Sequence, residues 1–397
     1  MVLPLFAASL AAYPVYSLIN PGVAPQAAAP AKKYLSPLDP YVSFRLCADS
    51  LLKVRRENNK LVGGLPDGGR IDFTIDSELQ DRVTEVMTRS RVPFGVFVAL
   101  EPKTGRVLAM AGHSEIDPGW ESRCSFDLYP MASLFKIVTA AAAFEQRKME
   151  PESLVAFRGK FTSENPRYWE VARKGNQQVT LAYAMGKSIN PVFGRIASDY
   201  VGRDPMMSMV SRFGFNQTLF PNTPVMPSKA LPPENERELA KMGAGLGREV
   251  LISPLHAAAV MGAIANNGVM MLPVLADRIS NGRGETILGE HSLPIRKVVE
   301  PEIAKQIEKS LSLTVNSGTS RKAFYDRRGR RKLAEVEIAA KTGSISGKNP
   351  EGHYSWFAAY APAKDPQIAL VALVINRDKW KIKASQLGEQ ALEEFFR

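Results

Sequence analysis

"YPMASLFKIVTAAAAFE", residues 129–145, keeps one serine and one lysine three residues apart in a run that is otherwise almost wholly apolar, Ser133 and Lys136. Leucine at both positions would make a more stable helix. Residues three apart on a helix share a face, so the hydroxyl and the amine are expected side by side. A serine hydroxyl is a weak nucleophile near neutral pH and needs a base beside it. A lysine becomes that base when burial or a second cation favours its neutral amine. Leu134, Phe135, Ile137 and Val138 supply the low dielectric. A serine that also opens the helix has its backbone N–H aimed outward along the helix dipole, ready for an oxyanion. The stretch therefore reads as an activated nucleophile.

Outward from it, the chain divides by pattern. Upstream, "GRIDFTIDSELQDRVTEVM" predicts a strand from Ile71 to Ile75. Asp76 then caps a helix with Leu79, Val83, Val86 and Met87 on one face. "GVFVALEPKTGRVLAMAG" places Pro and Gly between two apolar runs, as a β-hairpin requires. From Ala132 to about Ile264 the pattern is helix and loop, ending at the helix stop "NNG". "EVEIAAKTGS", "YSWFAAYAP" and "QIALVALVIN" return to strands. The closing "SQLGEQALEEFFR" sets Leu387, Ala391, Leu392 and Phe395 at helical spacing. Strands at both ends around a helical middle predict an α/β (α+β) fold. Its antiparallel sheet is built from both ends of the domain, flanked by helices, with a helical subdomain inserted.

The N-terminal side is organised differently. Val2 to Ile19 carries no charge and is about long enough to cross a hydrocarbon core of roughly 30 Å. Residues 1–20 are read as a membrane anchor in preference to a cleaved signal segment, for which Ala27 to Ala29 would be the downstream small residues. Lys32 and Lys33 follow the run and no cation precedes it, which runs against the positive-inside rule for an exported domain. Residues 21–70 are read as a Pro- and Ala-rich linker followed by a short amphipathic juxtamembrane helix over Arg45 to Lys60. The folded domain is expected over residues 71–397.

Bulk properties narrow the function. The 397 residues, 45% hydrophobic, are enough for a large core. A net charge of +11 suits an anionic polymer or membrane surface; its basic residues are dispersed and no nucleic-acid motif accompanies them, so no nucleic-acid partner is expected. Two cysteines without a CxxC exclude a thiolate metal site and are read as unpaired, and the four scattered histidines make no metal motif. The basic run Asp326 to Lys332 is read as a solvated loop.

Three short motifs then line up in order: Ser133-x-x-Lys136, Ser188-Ile189-Asn190 and Lys341-Thr342-Gly343-Ser344. Each has a decoy in this chain, at Ser50 to Lys53, Ser163 to Asn165 and Lys103 to Arg106. Context separates them, because each member of the first set stands at an expected element end, whereas Ser50 to Lys53 falls in a charged surface helix and Lys103 to Arg106 in the hairpin turn itself. This triple resembles the set of serine acyl-transferases of the penicillin-binding protein and β-lactamase class. "VALEPKTGRVLAMAG", "SPLHAAAVMGAIANNGVMMLP" and "SWFAAYAPAKDPQIALVALVIN" resemble the same family over roughly Ile71 to Phe396. The chain is identified as a member of the penicillin-binding transpeptidase domain class, monofunctional and without a large pedestal domain.

The resemblance implies roles at the matching positions. Ser133 attacks the D-Ala-D-Ala carbonyl of a peptidoglycan stem peptide and Lys136 takes its proton. Ser188 relays protons, Asn190 holds a substrate amide, and Lys341 supplies positive potential. Thr342 and Ser344 bind the substrate carboxylate, with Gly343 between them. The N–H groups of Ser133 and Ser344 form the oxyanion hole. It further implies covalent inhibition by β-lactams, no metal or cofactor, and a single-pass inner-membrane protein with its catalytic domain outside the cytoplasm. A glycan-polymerising protein is the implied partner. Ser-Ile-Asn lacks the aspartate of many β-lactamases, and no ExxLN segment is present for a deacylating glutamate. That favours transfer to an amine over a serine β-lactamase, while a D,D-carboxypeptidase, which differs only in using water as acceptor, stays open. A β-lactam sensor would need a cytoplasmic signalling part, and intact Ser133, Lys136 and Lys341 argue against an inactive cell-wall scaffold. Gly243, Gly245 and Gly247 are read as turn glycines.

Overall fold

The computed structural model describes residues 39–58, 60–220 and 223–397. The expected anchor and most of the linker lie outside the described residues. Among those described, no helix is long and apolar enough to cross a membrane.

The first helix, α1 (Pro40–Ser50), leads to strands β1 (Arg55–Glu57), β2 (Lys60–Gly64) and β3 (Arg70–Asp76). The helix expected over Arg45 to Lys60 thus ends at Ser50. Asn58 takes a left-handed φ of +48°, and Glu57 pairs with Lys60 across the turn it makes. A left-handed asparagine favours a hairpin over a continued helix. Phe44, Cys47 and Val62 are buried, so packed structure begins well before Ile71. The strand and capped helix read from the sequence are present. Asp76 accepts from the backbone N–H groups of Glu78 and Leu79, and α2 (Ser77–Arg89) buries Leu79, Val83, Val86 and Met87.

The hairpin follows as β4 (Phe94–Leu100) and β5 (Val107–His113). Beyond it come α3 (Lys136–Arg147), α4 (Leu181–Lys187), α5 (Asn190–Arg195) and α6 (Pro254–Ala265). The middle is not helix and loop alone: Leu154–Phe157 and Gln177–Thr180 pair as a small antiparallel hairpin. Its β-branched residues are too few and its connection too long to mark it in sequence. The chain continues through β6 (Ala276–Ser280), β7 (Thr286–Leu288) and α7 (Pro301–Asn316). It closes with β8 (Ala339–Lys348), β9 (Glu351–Ala361), β10 (Ile368–Asn376) and α8 (Ala384–Phe395).

The larger sheet has the order β8-β9-β10-β4-β5, antiparallel throughout, so strands from both ends of the domain meet where β10 pairs with β4. All nine residues of β10 are buried. Alternate residues divide between two cores, as a strand covered on both faces must. Val371, Leu373 and Ile375 join the core shared with α6; Leu370, Ala372 and Val374 join the one closed by α2 and α8. A second sheet, β1-β2-β3-β6-β7, was not foreseen. Both cysteines are buried and free.

Candidate active site

Ser133 and Lys136 stand where the chain enters the core. Ala132–Phe135 is a 3-10 turn and the α-helix begins at Lys136, so Ser133 lies in the turn ahead of the helix and not within its first α-helical turn. The cause is Ala132, whose left-handed φ of +53° reverses the chain at the preceding residue. Left-handed backbone costs an L-residue about 1 kcal/mol, and close packing holds it here. Gly245, itself at φ +69°, lies so near that a Cβ on it would fall 2.3 Å from the Ala132 carbonyl oxygen. Trp356 adds a clamp, its indole N–H donating to Pro130 O at 2.9 Å.

The expected adjacency is present. Lys136 Nζ lies 2.8 Å from Ser133 Oγ, with Lys136 fully buried and Ser133 8% exposed. The amine also donates to Asn190 Oδ1 at 2.9 Å and to the Ala244 carbonyl. No carboxylate touches it, and the Phe193 ring lies 5.8 Å away. Burial, then the positive charge of Lys341, push its pKa far below that of an ordinary lysine. A neutral amine has two N–H donors and one lone pair. The two donors are taken by Asn190 and Ala244, so the lone pair is left for the Ser133 hydroxyl proton.

The second motif straddles two helices. Ser188 ends α4 at a left-handed φ of +56°. Asn190 opens α5, its N–H donating to Phe161 O at 2.8 Å. This kink turns Ser188 towards Lys341 and Asn190 towards Lys136. Lys341 Nζ donates to Ser188 Oγ and to Thr342 O, each at 2.8 Å. Burial lowers the Lys341 pKa from 10.5 to about 7.

The third motif was placed at a strand end but lies inside β8, which runs on to Lys348. Continued pairing explains it: Lys341 through Lys348 keep register with Ala358 through Glu351 of β9. Lys341 and Gly343 are buried, Thr342 is half-buried and Ser344 is exposed. A Cβ at Gly343 would lie 3.2 Å from the Cβ atoms of both Ala132 and Trp356 and 3.4 Å from Ser133 N. Glycine there lets the strand pass close to the nucleophile's amide. All eight residues singled out in the sequence therefore fall on or beside one cluster.

The three decoys lie elsewhere. The Ser50 hydroxyl donates to Leu46 O within its own helix, and Ser163 accepts from the Trp169 indole. Lys103 pairs with exposed Asp365. Sequence reasoning missed Ala244, which acts through its carbonyl, and Thr319, whose hydroxyl bonds that of Thr342. The glycines around Ala244 were the only signal for the first. A hollow of about 740 Å³ lined by Arg167, Trp169, Arg195 and Lys241 contains none of these groups; a smaller one of about 280 Å³ begins at Ser344. Among the described residues no cluster of His, Cys, Asp or Glu could hold a metal ion.

Residues 95–394 match the family model described as penicillin binding protein transpeptidase domain. The chain belongs to this family. Among curated penicillin-binding relatives, the peptidoglycan D,D-transpeptidase PbpA of Mycolicibacterium smegmatis is 28% identical, covering 82% of this chain and 71% of that protein. Stage V sporulation protein D of Bacillus subtilis is 25% identical over 78% of this chain and 50% of its own length. The solved D,D-transpeptidase domain of a peptidoglycan glycosyltransferase from Eggerthella lenta superposes with a TM-score of 0.68 at 26% identity, covering 83% of each chain. Penicillin-binding protein A from Mycobacterium tuberculosis, solved as its penicillin G acyl-enzyme complex, shares the fold (TM-score 0.68, 23% identity, 83% of this chain and 81% of that one). This family assignment fits the mixed α/β architecture found here, with antiparallel sheets flanked by helices.

Proposed function

We propose that the chain is a peptidoglycan D,D-transpeptidase working through a serine acyl-enzyme. The observation that carries the reading is the 2.8 Å approach of a fully buried, carboxylate-free Lys136 amine to Ser133 Oγ. Lys136 takes the hydroxyl proton as Ser133 Oγ attacks the carbonyl of the penultimate D-alanine. The C–N bond then breaks and D-alanine leaves, its nitrogen protonated through Ser188, which Lys341 holds in place. An amine of a second stem peptide attacks the ester and restores Ser133. Thr342 and Ser344 hydroxyls receive the substrate carboxylate beside the positive Lys341, and Asn190 steadies the donor amide. The amides of Ser133 and Ser344 stabilise the tetrahedral oxyanion, a term that typically supplies several kcal/mol of barrier lowering. β-Lactams follow the same course as far as the acyl-enzyme and stop there.

Residues 1–20 serve as a single membrane anchor with the catalytic domain outside the cytoplasmic membrane, and glycan strands come from a separate polymerising protein. The uncharged run Val2 to Ile19 supports the anchor; a reporter fused after Arg397 that is active only in the cytoplasm would overturn that topology.

The decisive test is intact mass spectrometry after incubation with benzylpenicillin. The parent gains one covalent penicilloyl adduct, and Ser133→Ala gains none. A parent that neither binds nor consumes the antibiotic would sink the reading.

A further inference from the structure

The connection inside the small hairpin, residues 158–176, carries side chains that the Ser133 cluster does not use. Arg158, Lys160 and Arg167 line a hollow of about 610 Å³ with Thr162, Ser163 and Tyr168. Among the described residues no acid lines it. The two acids of the same connection, Glu164 and Glu170, line other hollows. All three cations are exposed, and none has an ion pair or side-chain hydrogen bond among the described residues. Other exposed arginines of this chain do find acids: Arg56 meets Asp81 at 2.7 Å and Arg278 meets Asp72 at 2.8 Å. Three like charges around one hollow repel each other and gain when an anion comes between them.

The cations stand on a pinned backbone. Arg158 N–H donates to Trp169 O at 3.3 Å, Ser163 N–H to Lys160 O at 2.9 Å, and Gln177 Nε2 to Gly159 O at 2.9 Å. The buried Trp169 indole donates to Ser163 Oγ at 3.0 Å, which leaves the serine's own hydrogen for a ligand. The surroundings narrow what that ligand is. Tyr168 is 66% exposed, and the negative face of its ring suits the C–H side of a sugar. The Thr162 and Ser163 hydroxyls suit a sugar's oxygens. No aliphatic residue lines the hollow, so it offers nothing to lipid chains, and a concave surface does not match the plane of a membrane. At Arg167 the hollow meets the one of about 740 Å³, which that arginine also lines. The larger hollow mixes both charges, so it adds length rather than charge, as a chain of sugars needs.

We propose that this hollow is a docking site for an acidic polysaccharide, separate from the acylation site. Arg158, Lys160 and Arg167 meet its acidic groups, and Tyr168 packs on a sugar face. The site does not depend on the acyl-enzyme reading of Ser133.

The test is titration calorimetry on the full chain in neutral detergent. Tetragalacturonate, with one carboxylate per sugar, binds about tenfold tighter than neutral maltotetraose, the gain of a charge-assisted pairing. Added salt weakens it, because exposed cations are screened. Arg158→Ala combined with Lys160→Ala removes the preference for the acidic sugar, and Tyr168→Ala weakens both sugars. Arg327→Ala combined with Arg328→Ala takes two exposed cations from the basic run Asp326 to Lys332 and leaves binding unchanged. Absent or equal binding of the two sugars overturns the proposal, as does an equal loss in the Arg327 and Arg328 variant. Tighter binding of oligothymidylate, or of glycerophosphoglycerol as the soluble headgroup of an anionic lipid, overturns it in favour of a nucleic acid or a membrane. Each variant is also incubated with benzylpenicillin, and an adduct formed as in the parent shows that it folds. A parent without that adduct sinks the acyl-enzyme reading alone, since the sugars are scored without it.

Discussion

Lys341 and Lys136 are two buried lysines within one cluster, and neither has a carboxylate partner. Such an arrangement is costly to fold. The Lys341 pKa falls from 10.5 to about 7, so below pH 7 the folded state holds a charge that water would solvate better. Above pH 7 the folded chain loses that proton while the unfolded chain keeps it up to about 10.5. The penalty is therefore full below pH 7 and is relieved as the pH rises towards 10.5. Lys341→Met is expected to raise the melting temperature at pH 6 by several degrees, and by progressively less towards pH 10, while abolishing acylation by benzylpenicillin. Scanning calorimetry across that range decides it; a variant less stable than the parent at pH 6 contradicts the argument. The Ser133→Ala mass measurement belongs to the same scale, because the proposal places the acyl group on that one hydroxyl.

At the scale of elements, the site depends on how β8 and β9 lie against the turn that holds Ser133. Trp356 faces Gly343 across β9 and β8 and ties that pair to Pro130. Trp356→Phe keeps most of the buried area but loses the N–H donor, leaving the Pro130 carbonyl without that partner. Acylation by benzylpenicillin is expected to slow about tenfold, in line with a net loss of roughly 1 kcal/mol or more. Circular dichroism should be unchanged, and an unaltered acylation rate would show the indole bond to be idle.

Much of this is legible in the sequence alone. The hairpin declared itself through "EPKTGR", and the capped helix through Asp76 and its four apolar residues. The three motifs named the eight residues that the structure brings to one cluster. What stayed hidden had physical reasons. Arg55, Arg56 and Glu57 are too charged to announce a strand, and only pairing with Leu61 and Val62 makes them one. Ala244 contributes a backbone oxygen, which every residue possesses, so no side-chain pattern marks it. Thr319 acts only because the turn after α7 packs beside α4, its N–H donating to Gly186 O at 3.1 Å.

Across the whole molecule, the two ends of the domain are mutually dependent. α8 packs against α2 on one face of the larger sheet, closing the core that contains Phe97, Phe357 and Leu370. Removing residues 384–397 uncovers that face, an apolar area far beyond what soluble domains leave exposed. The truncated chain is expected to be insoluble and to bind no fluorescent penicillin; a soluble, penicillin-binding product would show that α8 is dispensable. Pairing strands so distant in sequence also makes folding slow. Refolding from denaturant should be slower than that of helical proteins of equal size, as followed by recovery of penicillin acylation.

β10 is the latest in sequence of the five strands in its sheet, yet it sits at the centre, between β9 and β4. A premature stop codon between β9 and β10 leaves two half-sheets with no common edge, even though Ser133, Ser188 and Lys341 have all been made. A chain shortened there is therefore expected to bind no fluorescent penicillin. Any change in penicillin response carried by this chain is expected to come from missense substitution, because a nonsense change upstream of Asn376 removes the central strand of the sheet.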